Sequence, residues 1–221
     1  MLPVVLPLPG PATLIDRADI EISFDAAQGD ALVVSANVRN LQRDDGILLD
    51  AMELRADGTI VLTEGNGIAS ASAEIDADLS GLSVTDPNLF EAAGDSATLT
   101  AQVDWASEGR LDLSDLDLRS DQVQLTGGAQ VTGLAEEAAP EVALDANLTS
   151  GPLARFATLA ATPLTGSVVT SLSGNYAVQT GAFNVTVDGT GQGLGSGQPE
   201  ADALLAGPLT LGVTAARGAE G

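Results

Sequence analysis

The sequence contains no cysteine and no histidine. Without cysteine there is no disulfide framework, no thiolate nucleophile and no cysteine-type zinc site, and the redox compartment leaves no trace in the chain. Without histidine there is no imidazole general base, no Ser-His-Asp triad and no histidine-bearing metal centre. Aromatic residues are only 3% of the 221 residues. Rings supply much of the buried area of ordinary sandwich cores, so their scarcity points to a thin, repetitive interior built in layers. Cations are scarce too: 8 Lys and Arg stand against 31 Asp and Glu, a formal charge of −23. Nucleic-acid binding needs clustered cations that displace counterions, so that class is excluded, and the same field repels anionic membrane surfaces. The acidity has a plain use, because it keeps a large sheet protein soluble and discourages edge-to-edge pairing. No stretch reaches the roughly 18–20 apolar residues of a spanning helix. Met1 to Pro11 is apolar but broken by prolines and lacks a basic start, so residues 1–12 read as an extended lead-in, neither signal peptide nor anchor.

What the sequence has in quantity is period-2 alternation of apolar and polar residues. It runs from Ile20-Glu21-Ile22-Ser23-Phe24 through Ala73-Glu74-Ile75-Asp76-Ala77-Asp78-Leu79 to Leu209-Thr210-Leu211-Gly212-Val213. Successive side chains of a strand point to opposite faces, so each run sets an apolar face against a charged or hydroxylated one. Alternation bounded by turn residues predicts strands at 19–26, 31–39, 46–55, 58–63, 68–80, 96–105, 109–118, 121–133, 141–149, 166–176, 181–188 and 207–216. Asp57-Gly58, Gly65-Asn66-Gly67, Glu108-Gly109, Gly127-Gly128 and Thr180-Gly181 supply hairpin chemistry between them, which makes neighbours antiparallel. In Leu111-Asp112-Leu113-Ser114-Asp115-Leu116-Asp117-Leu118 the apolar parity slips by one residue, so a bulge or turn is expected at Ser114-Asp115.

Three segments break the strand pattern: Asp86 to Ala93, Pro152 to Ala160 and Pro199 to Ala206. Each opens on or near a proline and carries Leu or Phe at helical spacing. They form a loose internal repeat, one or two helical turns followed by a meander, at spacings of roughly 47 to 66 residues that suit an elongated array. The expected fold is therefore all-β: an elongated, curled, mostly antiparallel open sheet over residues 13–221, with a few short helices at its rim or ends. Helices this short can cover only a small part of such a sheet.

Catalytic and metal chemistry is poorly served. Asp112, Asp115, Asp117 and Asp121 are the densest acidic cluster, but Asp112, Ser114, Asp117 and Arg119 alternate with leucines as a solvated strand face does, and no calcium-loop motif surrounds them. Asp76 and Asp78 share a face at strand spacing, yet that pattern recurs on many strands and singles out no glycosidase pair. Gly191 to Gly197 is glycine-rich without the Lys-Ser/Thr of a phosphate loop, and reads as a flexible turn. Trp105 and Tyr176 fall on the apolar parity, with core packing expected and a groove-mouth position as the alternative. No cofactor and no enzymatic activity are expected.

The segments Leu144-Asp145-Ala146-Asn147-Leu148, Pro152-Leu153-Ala154-Arg155-Phe156, Pro163-Leu164-Thr165-Gly166-Ser167, Leu172-Ser173-Gly174-Asn175-Tyr176, Thr180-Gly181-Ala182-Phe183 and Leu204-Leu205-Ala206-Gly207 follow one another in an order that resembles the repetitive periplasmic part of the TamB family. Leu111 to Asp121 with Leu125-Thr126-Gly127-Gly128-Ala129 resembles the strand repeat shared with AsmA-like proteins. TamB is the inner-membrane-anchored subunit of the translocation and assembly module. The resemblance implies a gutter-like open sheet spanning the periplasm of a diderm bacterium, linked to outer-membrane protein assembly and secretion and to phospholipid transport between the two membranes. It implies that the chain is a middle-region fragment, with the anchoring helix and the part that meets an outer-membrane barrel partner lying outside it. On this reading the apolar parity forms a groove for phospholipid acyl chains, lined by Ile75, Leu79, Leu99, Val103, Trp105, Leu111, Leu113, Val142, Leu144, Leu148, Leu172, Phe183 and Val185. The alternative is a structural or adhesive β-solenoid or sandwich of a cell surface, whose sheet buries its own apolar face.

Overall fold

The computed structural model describes residues 4–6, 12–26, 30–44, 46–63, 65, 67–84, 94–121, 123–135, 139–158, 160–205 and 207–219. They form β1 (Val4–Leu6), β2 (Thr13–Asp25), β3 (Ala31–Arg43), β4 (Ile47–Leu62), β5 (Ile68–Ser80), β6 (Ser83–Val84), β7 (Ser96–Ala106), β8 (Arg110–Ser120), β9 (Val123–Thr132), β10 (Glu141–Ser150), β11 (Thr165–Ala177), β12 (Ala182–Gly195) and β13 (Leu209–Arg217). A 3-10 turn spans Leu153–Phe156 and a single α-helix, α1, spans Pro199–Leu205. All the strands belong to one sheet, in the order β1-β2-β3-β4-β5-β7-β8-β9-β10-β11-β12-β13, with the short β6 pairing β4. Each pairing is antiparallel and, apart from β6, which pairs β4 and leaves β5 to pair β7, joins neighbours along the chain, so the fold is an elongated, curled meander whose outermost strands do not meet.

Register decides which residues share a face, because directly opposed residues of an antiparallel pair lie on the same side. One row runs Phe24–Leu32–Gly58–Ala73–Val103–Leu113–Ala129–Leu144–Gly174–Val185–Ala215 without a polar side chain. Another runs Ile20–Ala36–Leu54–Ala77–Leu99–Leu118–Leu125–Leu148–Thr170–Gly189–Leu211, with one hydroxyl. On the other face the row Ser35–Arg55–Asp76–Thr100–Asp117–Thr126–Asn147–Ser171–Asp188–Gly212 is polar nearly throughout. With strands about 4.8 Å apart, the apolar rows extend roughly 50 Å along the curve of the sheet.

The parity slip in β8 is a bulge. Thr100 pairs Asp117 and Gln102 pairs Ser114 on one side, while Leu113 pairs Ala129 and Leu116 pairs Gly127 on the other. Asp115 takes up the extra residue at φ 51, and Leu116 and Leu118 thereby return to the face of Leu111 and Leu113. Gly127 lies across from the bulge at φ 153, and a Cβ there would stand 2.2 Å from the carbonyl oxygen of Asp145 on β10. Gly127-Gly128 is therefore not a hairpin but the middle of β9, where the bulge pulls three strands together.

Two other turn expectations are corrected. Asp57-Gly58 does not separate two strands; β4 runs unbroken from Ile47 to Leu62 because parity is kept through it, Arg55 and Asp57 pairing on the polar side while Gly58 takes an apolar-side position. Gly191 to Gly195 completes β12: Gly191 pairs Val168 on β11 and Leu209 on β13, and beyond it the strand bulges along β11, Gln192 opposing Ser167 and Gly195 opposing Thr165. The lead-in contributes a strand as well, since Val4–Leu6 pairs with Thr13–Ile15. Of the three helical segments, the second is a 3-10 turn, the third is α1, and the first lies outside the described residues.

Burial is thin. The buried apolar residues are Ile15, Val38, Leu49, Ala51, Ala77, Ala101 and Ala146, and no large side chain among the described residues is fully enclosed. The chain exposes 13538 Å², where a compact monomer of 22.1 kDa would expose about 9,300 Å². Ala77, Ala101 and Ala146 lie on the apolar face between larger neighbours. Ile15, Leu41 and Leu49 oppose one another on the polar face, where Thr13, Ile15, Leu49 and Ala51 are buried. The β2–β4 end thus carries a small second core on the opposite side of the sheet.

Candidate functional site

The apolar face is the one extended surface of unusual chemistry. From Ala18 on β2 to Ala215 on β13 its described strand positions carry one ionisable pair of outliers, Asp16 and Asp50, beyond one margin and Arg217 beyond the other. All the residues expected to line a groove share this face. Leu79 and Ile75 on β5 oppose Ala97 and Ala101; Leu99, Val103 and Trp105 on β7 oppose Leu118, Leu113 and Leu111 on β8. Val142, Leu144 and Leu148 on β10 oppose Tyr176, Gly174 and Thr170, and Leu172 on β11 is followed by Val187, next to Phe183 and Val185 on β12. They are spread along the sheet, not gathered at one point. Asp76 and Asp78 project to the opposite face, as their parity requires.

The face is only partly shielded by its own neighbours. Leu144 remains 38% exposed, Leu148 40% and Leu211 59%. Tyr176 stays 45% exposed, so the expectation of a core tyrosine is not met; its ring lies at the margin beside Val142 and Phe183. Trp105 is half-buried at the same margin, between Ala71 and Leu111.

Within the face one recess stands out. Val142, Leu144, Leu172, Gly174, Tyr176 and Val185 enclose about 180 Å³. Gly174 makes it: its missing side chain leaves a gap in the row between Leu144 and Val185, and a Cβ there would meet the carbonyl oxygen of Asn184 at 2.5 Å. It is a half-open depression on the face, with an almost wholly apolar lining. The sequence placed Val142, Leu144, Leu172 and Val185 on this surface but missed Gly174, whose signal was a glycine at an apolar-parity position.

The polar face answers the question of the acidic cluster. Arg110 pairs Asp112 at 2.5 Å, and Arg119 pairs Asp117. Gln130 donates to Asp112 at 2.6 Å and Gln124 to Asp117 at 3.1 Å. The Gln130 amide and then Arg110 hold the Asp112 carboxyl below the usual carboxylate range, and Arg119, aided by Gln124, does the same for Asp117. The same i, i+2 geometry joins Arg17 to Asp19 at 2.6 Å and Arg55 to Asp57 at 2.5 Å. Among the described residues no three acidic side chains gather as metal ligands, and these carboxylates are partnered, solvated strand positions. Such exposed pairs add little to stability but hold charge away from the apolar side.

Among the described residues no helix is long and apolar enough to cross a membrane. No family model matches the chain, and no curated protein or solved structure matches it either.

Proposed function

We propose that the chain is a non-enzymatic segment of a lipid conduit, whose apolar face carries phospholipid acyl chains. The observation behind this reading is the pair of apolar rows that cross the sheet with, among the described residues, no second layer packed on them. Burial of a methylene is worth ~0.8 kcal/mol, so a sixteen-carbon chain lying in such a trough gains up to roughly 12 kcal/mol before ordering costs. Because the rows repeat from strand to strand, successive positions are near-equivalent in energy and a chain can slide between them. Headgroups stay in water beyond the margins. In keeping with the TamB resemblance, the proposed setting is the periplasm of a diderm envelope. A sandwich-type adhesin needs a facing sheet, whereas the described strands form a single one.

The test is photocrosslinking from Leu144, Leu172 and Val185, with Asp76 as the outward control, after expression in a diderm host. Phospholipid is expected at the apolar positions and not at Asp76. Equal capture at Asp76, or none at the other three, overturns the proposal.

A further inference from the structure

The chain's one Trp and its one Tyr stand in the same row of the apolar face. Register carries that row through Trp105–Leu111–Val131–Val142–Tyr176–Phe183, along the margin at which β8, β10 and β12 begin. Rings with an apolar body and a polar tip collect where oil meets water, as at the two interfaces of a bilayer. The far margin of the same half has none: over β10 to β13 it is formed by Ser150, Val168, Gly191 and Leu209, and the 3-10 turn and α1 lie at that end, against β11 and β12. Charge follows the same division. On the apolar face of β10 to β13 the strand positions carry no carboxylate, and Arg217, which opposes Phe183 in the row, is the one charge, whereas Asp16 and Asp50 flank the far margin on β2 and β4. The Gly174 recess lies just inside the aromatic margin, with Tyr176 as one of its walls.

We propose that this recess is a holding station for one phospholipid, bound in a fixed direction: its phosphate at the Tyr176 margin, on the side of the phenol and Arg217, and an acyl chain running from the recess along the strands toward the far margin. Tyr176 and Arg217 are two strand spacings apart, about 10 Å, a span that a headgroup bridges. From Tyr176 to Val168 the face is about 27 Å long. An acyl chain fills half of the ~30 Å hydrocarbon core of a bilayer, so it lies wholly on the face and its end falls near Leu172, Ala146 and Val187. A chain laid the other way round would bring the anionic phosphate to the margin that carries neither ring nor cation. The station rests on the lipid-conduit reading and adds to it a direction and a stop, because the repeat of near-equivalent positions is interrupted where Gly174 deepens the trough.

The test mixes the 221-residue chain with phosphatidylethanolamine vesicles doped with one of two photoreactive analogues, carrying a diazirine on the headgroup or at the end of an acyl chain, and maps the labelled residues by peptide mass spectrometry. The head probe is expected to label within 176–183 and the chain-end probe at Leu172, Ala146 or Val187. Val185→Trp fills the recess and should lower capture there about tenfold, while Val103→Trp, in the same row on β7, should leave it within about twofold. Tyr176→Asp, at a side chain exposed enough for the fold to tolerate the change, should remove the head label from 176–183. Reversed positions of the two labels, equal labelling of both margins by both probes, or a folded Val185→Trp chain that captures lipid as the parent does overturns the station and leaves the conduit standing. No labelling by either probe overturns both.

Discussion

The β2–β4 end and the β10–β13 half are built from the same alternating strands, yet they meet water differently. At the first, apolar residues occupy both faces of β4 over Ile47 to Met52, and Ile15, Leu49 and Ala51 are buried on the polar side while Val38 is buried on the other. At the second, the alternation is nearly unbroken, Val169 being the large apolar residue on the polar side, and Leu144, Leu148, Leu209, Leu211 and Val213 keep about four-tenths or more of their surface in water. Breaking the alternation gives a two-sided anchor; keeping it gives an open surface. The closed part is confined to the Thr13–Ile15, Leu41 and Ile47–Ala51 end of those strands, for Ile20, Ile22 and Phe24 farther along β2 are as exposed as the open half.

The strongest way to break this comparison is to change register in the open half. Deleting Asp145 throws Ala146 and Leu148 onto the polar parity, and the expected outcome is unfolding of that half or a loss on the order of 4 kcal/mol in urea titration. Deleting Asp115 is the control: it heals the bulge and leaves Leu111, Leu113, Leu116 and Leu118 on one face, so the chain should still fold. Next, Leu49→Ala should cost about 2–4 kcal/mol, whereas Leu211→Ala, already 59% exposed, should cost under about 1 kcal/mol. Equal shifts in the urea midpoint would mean the two regions are not organised differently.

Ligand binding sharpens the contrast from the other side. Leu144→Arg puts a cation into the Gly174 recess and should reduce phospholipid capture about tenfold, while Leu49→Ala, at the closed end, should leave capture unchanged in whatever fraction folds. The smallest effect is electrostatic. Asp112 has its carboxyl lowered by Gln130 and Arg110, so its contribution to stability is present above the ordinary carboxylate pKa and is lost as pH falls through the lower folded value. Asp112→Asn should therefore unfold slightly more easily than the parent at pH 7, with the gap closing in strong acid. A gap that persists there would assign the loss to packing rather than charge.

Most of the sheet was legible in the sequence because a period of 2 states which residues share a face, and the slip at Ser114-Asp115 states where the strand must bulge. The residues expected to line a groove share one face of the sheet for that reason. What alternation could not show was whether a glycine turns or merely lies close to a neighbour: Asp57-Gly58 and Gly127-Gly128 have turn composition, but their neighbours' parity continues through them, and Gly191 to Gly195 bulges within its strand instead of ending it. The Gly174 recess was missed because it arises from three strands at once. The second core was missed because Ile15, Leu41 and Leu49 lie far apart in the chain and meet only through pairing.

The strictly sequential order of the strands has a mechanical consequence. Each strand holds only its predecessor and its successor, so a pull on Arg217 is resisted by β12 alone, then by β11, and so on inward. Force spectroscopy should show the molecule peeling one ribbon at a time from that side, in a train of small, similar steps, until it reaches the doubly packed strands near Leu49, where the last step should be the hardest.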